Sequence, residues 1–170
     1  EINGEKIDYV VLDDGSDPTN ALRNFLKLAD DNVDVVLGSS VTPATLALVG
    51  PAAERKTPLI SLAASARIVE PMDAQRRWAF KPIANESLVV GATVDHMQAN
   101  QVRTLGFIGF ADAYGESWLN ETRAQAEKAG IRLVAVEQYV RTDTSVTAQV
   151  IKLLAARPDA ILIAGSGTPG

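Results

Sequence analysis

Ser39, Ser40 and Thr42 crowd into "VVLGSSVTPATLA", between a short apolar run and a proline that opens a helical pattern. Hydroxyls at such a junction donate and accept hydrogen bonds without adding charge. The helix N-terminus beside them offers unpaired N–H groups and about half a positive charge. The junction therefore suits a small anionic group, most simply a ligand carboxylate. Helix capping by Thr42 and turn formation by Ser39 and Ser40 account for the same residues equally well.

Other reactive side chains are sparse. His96 is the single histidine and cysteine is absent, so thiolate chemistry, disulfides and a His/Cys metal site are excluded. Ser61, Ser65 and Ser117 lack the adjacent base that a nucleophilic serine needs, and no G-x-S-x-G elbow occurs. Asp13-Asp14 reads as turn and capping chemistry before "GSDP". "GFADAYGES" lacks the lysine and the glycine spacing of a phosphate cradle. These absences point to a non-catalytic protein with no metal and no cofactor.

Sixteen basic residues against twenty-one acidic ones give a net charge of −5, with no basic cluster denser than Arg76-Arg77, which argues against nucleic acid as a partner. No apolar run is long enough to cross a membrane, and the start shows no signal-peptide pattern.

Short β-branched runs alternate with amphipathic stretches, the pattern of an α/β fold with parallel sheets flanked by helices. Strands are expected at Ile7 to Leu12, Val33 to Leu37, Pro58 to Ser61, Trp78 to Lys81, Thr104 to Gly109, Arg132 to Gln138 and Ala160 to Ala164. Helices are expected from Asp17-Pro18 to Asp31, from Thr42-Pro43 to Arg55, from Asn85 to Ala99, from Tyr114 to Ala129 with Gly130 as terminator, and from Ser145 to Ala156. Residues 63–75 fit neither period, and "KPIAN" marks a boundary. In open parallel sheets, ligands sit beyond the carboxyl ends of the strands. Ser39, Ser40 and Thr42, then Ala63, Ala64 and Ser65, then Asp112, Ala113 and Tyr114 all follow strands in this way.

The segments "INGEKIDYVVLDDGSDPTNALRNFLKLADDNVDVVLG", "GSSVTPATLALVGPAAERKTPLISLAASARI", "WAFKPIANESLVVGATVDHM", "LGFIGFADAYGESW" and "DAILIAGSG", in this order, resemble the substrate-binding proteins of branched-chain amino acid (Leu/Ile/Val-binding) type ABC transporters. The resemblance implies a two-lobed type I periplasmic-binding-protein fold, incomplete in this chain. Part of lobe 1 would fall in residues 1–81, a hinge crossover in 82–84 and part of lobe 2 in 85–170. Lobe 1 would lack the family's opening strand and helix, and lobe 2 its later half.

The resemblance also implies a role: an extracytoplasmic receptor, periplasmic or on the cell surface, that closes on a small carboxylate and delivers it to an ABC permease. Its residue-by-residue projection gives Ser39 or Ser40 as the first-loop serine. Ala63 or Ala64 would offer a carbonyl to a ligand ammonium, Ser65 a hydroxyl, and Tyr114 the aromatic wall of the cleft. Ser166 stands where the family often has an aromatic contact, a departure from a plain Leu/Ile/Val ligand. The alternative from another class is a ligand-sensing domain of a regulator or receptor with the same fold.

Overall fold

The computed structural model describes residues 3–166. Its elements run α1 (Pro18–Asp30), β1 (Val36–Leu37), α2 (Thr42–Arg55), β2 (Leu59–Ile60), β3 (Ala79–Phe80), α3 (Glu86–Ala99), β4 (Thr104–Phe110), α4 (Ala113–Lys128), β5 (Arg132–Tyr139), α5 (Thr147–Ala155) and β6 (Ala160–Ala164), with single 3-10 turns at Ala66–Ile68 and Arg76–Trp78. The α/β expectation is met. Both sheets are parallel, in the orders β1-β2-β3 and β5-β4-β6.

Helix α1 starts as its sequence directs: Asp17 is the N-cap, its carboxylate accepts from Asn20 N at 2.8 Å, and Pro18 opens the first turn. Ala21 and Phe25 then bury one face against Ala44, Leu48 and Ala52 of α2, with Val36 and Leu59 from the sheet beneath. Full burial of a phenylalanine such as Phe25 contributes roughly 1.5–3 kcal/mol.

The second unit has the larger core. Val90, Val94 and Met97 of α3 meet Leu105, Phe107 and Leu162 of the sheet and Ala126 of α4. Leu153 of α5 closes the opposite face over Ile108, Phe110 and Tyr139. Strand β4 lies between β5 and β6, so the chain winds to one neighbour through α4 and then to the other through α5. Strand order therefore reverses about β4, and a crevice opens beyond its carboxyl end.

Three expectations need correction. Residues 7–12 form no strand: Ile7, Tyr9, Val10 and Val11 are exposed, and a groove of about 380 Å³ lined by Val11, Leu12, Val36 and Leu37 lies between this segment and β1. Apolar alternation keeps a chain extended, but a strand exists only where a neighbour accepts its ladder. Strands β1, β2 and β3 are two residues each, shorter than the runs that announced them. Thr42 is not the cap of α2. Val41 occupies the N-cap position with no side-chain hydrogen bond, and Thr42 is the first helical residue.

Asn85 does precede α3, yet its side chain accepts no hydrogen bond from the helix N–H groups, and its amide nitrogen donates to Glu70 Oε1 at 3.2 Å. Helix α4 stops as expected, with Gly130 at φ +71 just beyond it. The turn expected after β6 is described only as far as Ser166, and residues 167–170 lie outside the described residues.

Candidate functional site

The junction after β1 is held by Ser39. Its Oγ accepts from Val41 N at 3.1 Å, and its carbonyl accepts from Thr45 Oγ1 at 2.8 Å. This is a serine turn that aims the chain into α2. Ser40 is exposed beside it, and both serines line the groove that faces Asp13 and Asp14. Thr42 is buried, and its hydroxyl has no partner among the described residues.

The junction after β2 reaches the other unit. Ser61 Oγ accepts from Ala63 N at 3.0 Å, Ala63 is buried, and Ala64 is half-buried. Ser65 caps the 3-10 turn by accepting from Arg67 N at 3.3 Å. Its hydroxyl also lies 3.4 Å from Ser117 Oγ and 3.5 Å from Glu86 Oε1. Glu86 was not among the residues expected at the site, and neither was the pairing of Ser65 with Ser117. The Glu86 carboxylate is buried at the start of α3, accepts from Ala66 N at 2.9 Å, and accepts from the Ser117 hydroxyl. A buried anion needs such donors, and here they come from both units. An exposed Arg67–Glu116 pair at 3.5 Å spans the same seam, a contact of little energetic weight.

Beyond β4, Asp112 caps α4. Its Oδ1 accepts from Tyr114 N at 2.9 Å and Gly115 N at 3.1 Å. Tyr114 leans on Phe110, with centroids 6.3 Å apart, and on Trp118 at 5.7 Å. Burial pushes the Tyr114 hydroxyl above its ordinary range, with nearby Arg141 pulling the other way. Tyr114 is thus uncharged near the physiological range of pH.

Arg141 was also missed. It lies two residues past β5, its Nε donates to Asp112 Oδ2 at 2.7 Å, and its guanidinium carbon sits 3.9 Å from the Phe110 ring centroid. A lone arginine in a loop carries no spacing signal, and only the adjacency of β4 and β5 brings it to Asp112. Ser166 follows β6 and is exposed.

A cavity of about 220 Å³ lies between the units, lined by Ser16, Pro18, Val41 and Pro43 on one side and by Ala111, Asp112, Val140 and Arg141 on the other. The sequence-expected residues are therefore distributed, not gathered. Ser39 and Ser40 face the groove of the first unit, Ser65 is spent on the seam with Glu86 and Ser117, and Tyr114 borders the second unit's aromatic cluster. No group of three or more His, Cys, Asp or Glu side chains is placed to hold a metal ion among the described residues. Among them, too, no helix is long and apolar enough to cross a membrane.

Comparisons with known proteins match this architecture. A curated relative from Pseudomonas aeruginosa, an amino acid binding protein, is 26% identical over 168 residues, covering 96% of this chain and 44% of the relative. An extracellular ligand-binding receptor from Rhodopseudomonas palustris HaA2 is 46% identical, with a TM-score of 0.95 over 99% of this chain and 47% of that one.

Two structures share the fold at lower identity. One is a solute-binding protein of an ABC transporter from R. palustris in complex with benzoate, at 21% identity and TM-score 0.89 over 99% of this chain and 47% of that one. The other is a branched-chain amino acid ABC transporter protein from Thermus thermophilus with bound valine, at 20% and 0.84 over 94% and 42%. The chain thus spans somewhat less than half the length of these relatives. The model of the family described as periplasmic binding protein matches residues 1–169, and the chain belongs to that family.

Proposed function

We propose that this chain is the ligand-capturing part of an extracytoplasmic solute receptor that serves an ABC importer, and that its ligand is a small carboxylate, most simply an amino acid. Residues 1–81 and 85–170 act as two lobes, with the hinge at 82–84. The ligand docks on one lobe, the other rotates over it, and the membrane permease recognises the closed form.

The observation that carries this reading is the cavity shared by the two sheet units, walled on one side by the first turns of α1 and α2 and on the other by the loops that follow β4 and β5. Such crevices beyond strand ends are where open α/β sheets hold ligands. Tyr114 follows the cavity-lining Asp112 as the candidate aromatic contact, and the Ser39 turn leads into the start of α2, whose N–H groups receive no side-chain cap. Ser40, Thr42, the Ala63–Ala64 backbone and Ser166 complete the set of candidate contacts. The amino acid binding protein and the valine- and benzoate-bound structures support a small acid as ligand class.

Thermal unfolding of the full-length protein across α-amino acids, aromatic carboxylates and amides tests the reading. A ligand that binds only the folded state stabilises it by RT ln(1 + [L]/Kd), about 2.7 kcal/mol at a hundredfold excess over Kd. A shift with acids is expected, and absence of any shift with acids refutes the assignment.

A further inference from the structure

Resting on the receptor reading above, we propose that Arg141 reads the ligand's carboxylate from the second lobe, so that the receptor selects small organic anions over their neutral amides. The residue lines the cavity between the lobes together with Asp112 and Val140, facing Pro18, Val41 and Pro43 of the first lobe. Its guanidinium is fixed twice. Nε donates to Asp112 Oδ2 at 2.7 Å, and the cation lies over the Phe110 ring at 3.9 Å. Phe110 is buried and is itself held against Tyr139, with centroids 5.0 Å apart. The plane of the guanidinium is therefore set by packing before any ligand arrives, which lowers the ordering cost of binding.

Those two contacts leave Nη1 and Nη2 without a hydrogen-bond partner among the described residues, although the side chain is only 31% exposed. Two adjacent N–H groups in one plane match the two oxygens of a carboxylate. Asp112 does not repel such a ligand as a free carboxylate would. Its Oδ1 is engaged by Tyr114 N and Gly115 N, and its Oδ2 by Arg141. Across the cavity, Val41 and Pro43 belong to the uncapped start of α2, whose amides add to the preference for negative charge. A neutral amide in the same place offers the two Nη groups one uncharged carbonyl oxygen where a carboxylate offers two charged ones. A volume of about 220 Å³ is on the scale of one small acid.

Calorimetric titration of the full-length protein with benzoate and benzamide, and with L-valine and L-valinamide, tests this. The wild type is expected to bind at least one acid at least tenfold more tightly than its amide. Arg141→Met should lose tenfold or more for that acid and little for the amide, collapsing the discrimination, while Arg141→Lys, which keeps charge but not the fork, should fall between. A change in discrimination separates direct reading from a structural role, since general loosening of the site weakens acid and amide alike. Circular dichroism checks the fold of each variant, and Arg141→Lys carries the test if the methionine variant fails to fold. Undiminished discrimination in the folded variants overturns the role of Arg141 while the receptor reading stands. Tighter binding of the amides by the wild type overturns the selection of anions, and failure of the wild type to bind any acid, in this titration or in the thermal-unfolding panel, removes both.

Discussion

Gly115 shows how much of the site rests on a missing atom. A Cβ added there would lie 1.9 Å from the carbonyl oxygen of Phe110, so α4 packs onto the end of β4 at a distance that only glycine allows. That approach is what lets Asp112 cap the helix and turns Tyr114 toward Phe110 and Trp118. Gly115→Ala is expected to destabilise the protein by about 1–3 kcal/mol, the usual cost of overpacking. Urea unfolding followed by tryptophan fluorescence measures it, and an unchanged midpoint means that the helix can shift freely. The pair Tyr114–Gly115 is legible in the sequence as "DAYGES", but why the glycine must be there is a matter of the strand passing underneath.

Asp159 does comparable work for an element. It precedes β6, and its Oδ2 accepts from Arg103 N at 2.9 Å, Thr104 N at 2.8 Å and Thr104 Oγ1 at 2.9 Å, which ties the entry of β6 to the entry of β4. The backbone N–H of Arg103, followed by the Thr104 hydroxyl and N–H, holds its pKa below the ordinary 3.8. A depressed folded-state pKa means that the carboxylate's contribution is fully present above the unfolded value and disappears as pH falls through the folded one. Acid unfolding of the wild type should therefore steepen below about pH 4, while Asp159→Asn should respond less over that interval. Superimposable acid titrations of the two proteins, monitored by circular dichroism, would falsify the assignment. Its partners lie more than fifty residues away along the chain, a separation that no local pattern encodes.

The two units meet at a buried carboxylate. Glu86 and Ser117 come from α3 and α4, Ser65 and Ala66 from the loop after β2, and all four converge at one point of the seam. Removing one partner leaves buried donors or acceptors unpaired, so Glu86→Ala should cost about 1.5–3 kcal/mol and Glu86→Gln less. Combined with Ser117→Ala in a double-mutant cycle, the coupling should exceed about 0.5 kcal/mol, since the two side chains share one hydrogen bond. Strict additivity would show that Glu86 and Ser117 are not energetically coupled within the second unit. Because Ser65 belongs to this network, its substitution reports on the seam between units as well as on any ligand.

The periodic elements are legible along the chain, because a 3.6-residue or two-residue apolar pattern is a local property. The helix start at Asp17-Pro18 and the stop at Gly130 are of that kind, as are β4, buried along nearly its whole length, and β5 and β6, where more and less exposed residues largely alternate. That residues 7–12 stay outside a ladder follows from the packing, since pairing depends on a neighbour and not on the segment. The packing decides equally that Thr42 is a buried helical residue, that Ser65 bonds Glu86 and Ser117, and that Arg141 stands over Phe110 beside Asp112. Such contacts join residues from separate elements, and their geometry is fixed by how sheets and helices stack, information that no spacing along a single chain contains.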